Sequence, residues 1–395
     1  YALGEQVLRY FSLEKVLCPP KADCDFSASI STKISCQEPQ FIHPAFLILF
    51  LSTKPTEIND MAKLIELNLE TNTTLIVDYL SAIEILKTPP TSVAIEKPGE
   101  GNMNAVLRFK YDKQSLILKQ SKSFVNKFPS IPAPRERIHT EAQFYQYAGQ
   151  ISGLSEKMPN LRYFDPQQHI IILEDLGEGS DFSYLYQPLQ TLSDGDIKDL
   201  LVYLASLHGQ IWSEEALQAF PNNLALRKLN HQHIFFLPFQ ADNGFDLDSI
   251  QAGLAALAQS YIADEELKAE IEQLGEKYLS QAHQLLHGDY YPGSWIRSTK
   301  GLKIIDPEFA FMGHTEFELG VLIAHLLLSG HQANWIESKL DAHYPLLYDE
   351  KESRQYAGVE IMRRLIGIAQ LPLQMELEEK AAMLRLARKM VLADN

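Results

Sequence analysis

The spacing of apolar residues changes once along this chain, and that change limits the folds open to it. Between Val93 and Glu174 the apolar residues fall in short runs: Val93 to Ile95, Ala105 to Lys110, Ser115 to Gln120 and Ile170 to Glu174. Gly99-Glu100-Gly101 and Tyr111-Asp112-Lys113 separate the first three, which is how two hairpins read. A helix rich in charge and aromatics is predicted from about Arg135 to Gly149. An earlier one is predicted from Met61 to about Leu86, ending before Pro89-Pro90. After Leu176 the stretches Ile197 to Trp212, Leu247 to Ala263 and Asp264 to Leu286 carry apolar residues at three- and four-residue steps and predict helices. A small sheet with one helix, followed by a helical mass, is an α+β chain of two lobes.

With 395 residues, 46% of them apolar and 22% charged, the chain can fill two hydrophobic cores. Its net charge of -16 offers no general attraction to nucleic acid or anionic lipid, so neither is expected as a partner. A phosphate-bearing ligand would need local positive groups. The longest apolar run, Ala45 to Leu51, is far shorter than the roughly 20 residues of a membrane span. Cys18, Cys24 and Cys36 match neither a zinc site nor a redox pair, and everything after Cys36 is cysteine-free, as in a cytoplasmic protein. Residues 1–60 show no sustained periodicity and no chemistry, and Met61 reads as a natural start. They are expected to be a non-catalytic extension, spurious or disordered. A small N-terminal lobe is expected over 61–176 and a larger C-terminal lobe over 177–395.

The most specific motif is His287-Gly288-Asp289, followed seventeen residues after the aspartate by Asp306-Pro307-Glu308 at the end of the strand Leu302 to Ile305. One such aspartate alone usually caps a turn. Acids at two loop ends in this order suit phosphoryl transfer, which is mostly positioning and charge neutralisation. Asp289 would accept or orient the proton of an attacking hydroxyl, and Asp306 with Glu308 would hold Mg²⁺ against the phosphates of ATP.

Upstream, Gly99-Glu100-Gly101-Asn102-Met103-Asn104 lies between strands, where glycines let backbone N–H groups approach phosphates, although hairpin turns use the same residues. Lys119 interrupts an apolar strand and would place an ammonium near phosphate oxygens. Glu141 on the next helix could orient it, with Glu136 as rival. Glu174-Asp175-Leu176 ends the small lobe like a hinge whose backbone groups bind adenine.

Glycine loop, strand lysine, helix glutamate, hinge, HGD and D-x-E together resemble the aminoglycoside-phosphotransferase and choline-kinase superfamily, whose fold is protein-kinase-like. Within it, GEGNMNAVLRF (Gly99 to Phe109), SLILKQ (Ser115 to Gln120) and IDPEFAF (Ile305 to Phe311) are similar to the motifs of the methylthioribose kinase family. Met362-Arg363-Arg364-Leu365-Ile366-Gly367 resembles that family's twin-arginine segment, which implies that Arg363 and Arg364 hold the sugar acceptor. The resemblance covers Glu96 to the end. It implies an ATP- and Mg²⁺-dependent kinase acting on the anomeric hydroxyl of 5-methylthioribose in methionine salvage, and a homodimer.

Two departures stand out. The family follows HGD with Leu-His-Thr-Gly-Ser, whereas this chain has Tyr290-Tyr291-Pro292-Gly293-Ser294. Ser294 keeps the position from which related kinases present a metal-binding Asn. The tyrosines would alter the surface near the acceptor, leaving another pentose derivative, an aminoglycoside or choline as alternatives. Glu318 stands where the family has an aspartate that braces the loop, and is expected to serve as structural support. A nucleotide-binding protein without catalysis is the reading from another class; retention of Asp289, Lys119, Asp306 and Glu308 argues against it.

Overall fold

A computed structural model describes residues 65–99 and 103–393. The expected extension over 1–60, and Gly101 and Asn102 of the glycine loop, lie outside the described residues.

The small lobe begins with helix α1 (Thr73–Ala82), whose Asn72 side chain caps the first turn by accepting from Thr74 N. The predicted helix continued to Leu86, but the chain turns at Ile83 and Glu84 takes a positive φ of 60°. Then come strands β1 (Val93–Glu96), β2 (Ala105–Tyr111), β3 (Gln114–Gln120), β4 (Phe124–Val125) and β5 (Phe128–Pro132), helix α2 (Arg137–Ala148), and strands β6 (Leu161–Asp165) and β7 (Ile170–Glu174). Five of these strands form an antiparallel sheet in the order β1-β2-β3-β7-β6.

Strand side chains alternate between faces, and here the alternation sorts core from cleft. Leu107 and Phe109 of β2, Leu116 and Leu118 of β3, and Ile170 and Ile172 of β7 pack with Ile76 and Leu80 of α1. The intervening residues Val106, Arg108, Ile117, Lys119 and Leu173 line the opposite side. The alternation that buries Leu118 thus delivers Lys119 to the cleft.

In the large lobe, β8 (Gly179–Asp181) is followed by helices α3 (Asp194–His208), α4 (Glu214–Ala219) and α5 (Leu224–His231), a π-helical turn at Gln232–Phe236, then α6 (Leu254–Ile262) and α7 (Glu265–Leu279). The helix predicted from Leu247 begins only at Leu254, after a 3-10 turn and Gly253 with φ 88°. The one predicted from Asp264 to Leu286 stops at Leu279, and its last residues form β9 (Gln284–Leu286). Strand β9 pairs with β12 (Phe311–Gly313), and the hairpin of β10 (Trp295–Ser298) and β11 (Gly301–Ile304) pairs with β8. Helices α8 (Thr315–Leu328), α9 (Ala333–His343), α10 (Glu350–Ile366) and α11 (Leu377–Leu392) complete the lobe. From Phe317 to Leu328 every residue of α8 is buried, so this helix is the lobe's axis. Among the described residues no helix is long and apolar enough to cross a membrane.

Candidate active site

A cleft of about 600 Å³ lies beneath the sheet, lined by Gly99, Val106, Lys119, Leu173 to Asp181, Gly293, Ile305 and Asp306. Lys119 is almost fully buried, and its Nζ lies 2.8 Å from a Glu141 carboxylate oxygen and 2.7 Å from Asp306 Oδ1. Burial acts to lower the pKa of the ammonium; Asp306, Glu141 and Glu308 together outweigh burial and raise it. Burial likewise acts to raise the Glu141 carboxyl, opposed by the Lys119 charge. Of the two helix glutamates, Glu141 meets the lysine, while Glu136 sits at the start of α2 and lines a different cavity.

Arg137 was not foreseen as a site residue. One turn before Glu141, it is fully buried and donates from Nε to Asn104 Oδ1 at 3.0 Å, with Glu308 Oε2 3.2 Å away. Asn104 in turn donates to Glu308 Oε2 at 3.0 Å. The four-residue spacing of Arg137 and Glu141, which puts both on one helix face, was the signal available in the sequence. Asp306, with its side chain about half exposed, keeps a left-handed φ of 64°, a conformation that Asp tolerates better than most residues. Asn223 holds the same loop from behind, its amide donating to the carbonyls of Glu308 and Ala310.

The hinge acids make structural pairs with their side chains. Glu174 accepts from Asn160 and meets Lys300, and its own N–H goes to Asn160 O. Asp175 accepts from Arg108 Nη2 at 3.1 Å, with Arg108 Nε in ion-pair range 2.8 Å from its other oxygen. Leu176 is buried against the cleft.

The loop after β9 is braced by Glu318, which accepts from the N–H groups of His287 (3.1 Å) and Gly288 (2.7 Å) and meets His208 Nε2 at 2.8 Å. His287 Nε2 meets Ile305 O at 2.8 Å, tying this loop to the Asp306 loop. Gly288 has φ 83°, and a Cβ there would lie 2.2 Å from Phe309 O, so only glycine fits. Ser294 spends its hydroxyl proton on Asp289 O at 2.8 Å, keeping its lone pairs.

The half-buried Asp289 has its pKa pushed up to about 6 by burial, against the pull of Arg364 and Arg363. Those arginines are adjacent on α10 and point about 100° apart. They converge because Glu360, three and four residues earlier, lies between them: Arg363 Nη1 is 2.9 Å from Oε2 and Arg364 Nε 2.7 Å from Oε1. Arg363 Nε is buried with no hydrogen-bond partner among the described residues.

The two tyrosines behave differently. Tyr290 is fully buried, stacks on Tyr203 and donates to Leu200 O. Tyr291 faces the site, with the Arg364 guanidinium 5.0 Å from its ring centroid and its hydroxyl folded over Gly293. The sequence reading had both rings at the acceptor; core packing withdraws one.

The phosphotransferase enzyme family, APH, matches residues 94–358. The methylthioribose kinase of Enterobacter sp. (strain 638) is 28% identical over 269 residues, 64% of this chain and 64% of that protein. The match thus spans a little under two thirds of that relative's length. The methylthioribose kinase of Bacillus cereus (strain B4264) is 24% identical over 346 residues, 76% of this chain and 86% of its own. Among solved structures, a spectinomycin phosphotransferase in complex with ADP and spectinomycin superposes with a TM-score of 0.48 at 14% identity, covering 81% of this chain and 97% of that one. Since the family match takes in well over half of its residues, the chain belongs to the APH phosphotransferase enzyme family.

Proposed function

We propose that the protein transfers the γ-phosphoryl group of ATP to a hydroxyl of a small sugar-like acceptor, with 5-methylthioribose, phosphorylated at its anomeric hydroxyl, as the first candidate. The observation that carries this reading is Lys119, bonded at once to Glu141 and Asp306 in a cleft of nucleotide size. Relatives named methylthioribose kinase support the choice of acceptor.

In this reading Lys119 and the glycine-loop amides, from Gly99 to Asn104, hold the phosphates. Backbone groups of Glu174 to Leu176 meet the adenine. Asp289 accepts or orients the acceptor proton, and Arg363 with Arg364 holds the acceptor. Among the described residues no three His, Cys or acidic side chains gather to hold a metal. In this reading Asp306 and Glu308, with Ser294 as a third oxygen donor, would supply a sparse oxygen set, which suits Mg²⁺, an ion that keeps waters and completes its shell with phosphate oxygens. When bound, the ion would neutralise charge on the β- and γ-phosphates. A cytoplasmic setting agrees with a fold that uses no cysteine after Cys36.

A cationic acceptor such as choline finds less support. The expected pair of tyrosines is not available as a cage, because Tyr290 is spent in the core, and the two guanidiniums that act on Asp289 would repel a cation there.

The test is ATP consumption across a panel of thioribose analogues, pentoses, amino alcohols and aminoglycosides, with Asp289→Asn as control. Turnover of methylthioribose that the substitution abolishes is expected. Full activity in the variant would remove Asp289 from its role, and ATP binding without turnover of any acceptor would favour the non-catalytic reading.

A further inference from the structure

Behind the two arginines lies a chain of buried polar groups that the proposed chemistry does not use. Glu360 and His325 are both fully buried, and Tyr186 nearly so. His325 Nε2 lies 3.1 Å from Glu360 Oε1, and His325 Nδ1 lies 2.6 Å from the Tyr186 hydroxyl.

The hydrogens can be assigned by elimination. Burial pushes the Glu360 carboxyl up, but Arg363 and Arg364 outweigh it and hold the group well below its usual range, so it is a carboxylate that can only accept. His325 must therefore donate from Nε2. Burial also pushes the imidazole down to about 4, so at neutral pH it carries one ring hydrogen, already placed on Nε2. Nδ1 is then an acceptor, and Tyr186 donates to it. The chain runs in one direction: Tyr186 O–H to His325, His325 N–H to Glu360, with Glu360 also taking Arg363 Nη1 and Arg364 Nε.

A carboxylate at i relative to arginines at i+3 and i+4 could swing toward either one or leave both for solvent. The third donor removes that freedom. Glu360 Oε1 receives His325 and Arg364 together, while Arg363 Nη1 bridges both oxygens at 2.9 Å from Oε2 and 3.2 Å from Oε1, and these donors together fix the plane of the carboxylate. Arg363 keeps a buried, unpartnered Nε, and Arg364 is held over the Tyr291 ring beside Asp289. His325 also packs against Tyr291, with ring centroids 5.2 Å apart, so the same imidazole touches both supports of Arg364.

We infer that Tyr186 and His325 are positioning residues for the acceptor site, acting through Glu360 to hold Arg363 and Arg364 in the orientation that receives the acceptor. The inference rests on the kinase reading above, and its test has one arm independent of that reading.

The variants are Tyr186→Phe, which removes one hydroxyl and keeps the ring, His325→Leu, which removes both hydrogen bonds, and His325→Gln, whose amide can donate to Glu360 while accepting from Tyr186. With methylthioribose as acceptor, His325→Leu is expected to raise the acceptor KM at least about tenfold and Tyr186→Phe a few-fold. The KM for ATP should stay within about twofold, and His325→Gln should recover most of the loss. In the second arm, ¹⁵N NMR of the full protein follows the arginine Nε–Hε signals without any acceptor. Hydrogen exchange at Arg364 Nε should quicken in His325→Leu and Tyr186→Phe and return toward the parent rate in His325→Gln. A parent protein that ignores methylthioribose would sink the substrate reading, and the NMR arm would then judge the relay alone. Unchanged Arg364 exchange in Tyr186→Phe and His325→Leu would overturn the relay, as would equal rises in both KM values.

Discussion

At the scale of single residues, Asp289 sets the terms. Burial disfavours the charged carboxylate and pushes its pKa up to about 6. The proposed reaction needs the ionised form, so kcat/KM should fall as pH drops through about 6 and level off above it, in a profile absent from Asp289→Asn. Stability runs the opposite way. Because the folded pKa lies above the ordinary 3.8, the unfolded chain gives up its proton first, and stability declines as pH rises from about 4 to about 6. Asp289→Asn should therefore lower kcat by about 10² or more while leaving Tm at pH 8 equal to or above that of the parent, a pairing that calorimetry beside kinetics can check. A variant that loses activity together with several degrees of Tm would point to a structural role instead.

Among the elements, the loop after β9 illustrates how geometry is held by a neighbour. Glu318, in the first turn of α8, accepts from two consecutive backbone N–H groups of that loop and is further held by His208. Glu318→Ala leaves both donors buried without a partner, at about 1–3 kcal/mol each. Tm should drop by several degrees and kcat should fall with little change in the KM for ATP, measured on the same preparation. The expectation of a brace at this position came from family resemblance; that a glutamate reaches both amides could be seen only in three dimensions. Strands β3 and β7 were legible because their alternation, or unbroken apolar run, is bounded by turn residues. The end of α7 was not, since Leu285 and Leu286 extend the helical spacing and Ser280 to His283 contain neither glycine nor proline to mark a break. Their pairing with Met312 and Phe311 is a long-range contact that overrides the local pattern. The arginine pair was legible as a motif, whereas its convergence on Glu360 required the third and fourth positions of a helical turn to be seen together. His325 and Tyr186 gave no local signal, because a buried histidine on an apolar helix has the spacing of any core residue.

Over the molecule as a whole, the lobes are joined by buried charge. Lys119 of the sheet reaches Asp306 of the large lobe, and Arg137 of α2 reaches Glu308 while Asn104 bonds the same carboxylate. Arg137→Met would leave Glu308 buried without its contacting guanidinium, with only the charge of Lys119 still acting on it, a loss of up to about 3–5 kcal/mol where nothing relaxes. That variant is expected to unfold at lower denaturant concentration, and saturating Mg·ATP should recover part of the loss through linkage, about 2.7 kcal/mol at a hundredfold excess over Kd. A midpoint shift with nucleotide equal to that of the parent would argue that Arg137 acts within the small lobe alone.

The neighbouring tyrosines after Asp289 carry a practical corollary. Extended backbone at Tyr291 sends successive side chains to opposite sides, one ring to the interior and the next toward the arginines. A library that randomises both codons should therefore sort into two populations. Clones altered at the first position would be poor in soluble yield whatever they are offered, and clones altered at the second would express normally but rank the acceptor panel differently. Substrate preference could then be evolved from a single codon without eroding the scaffold.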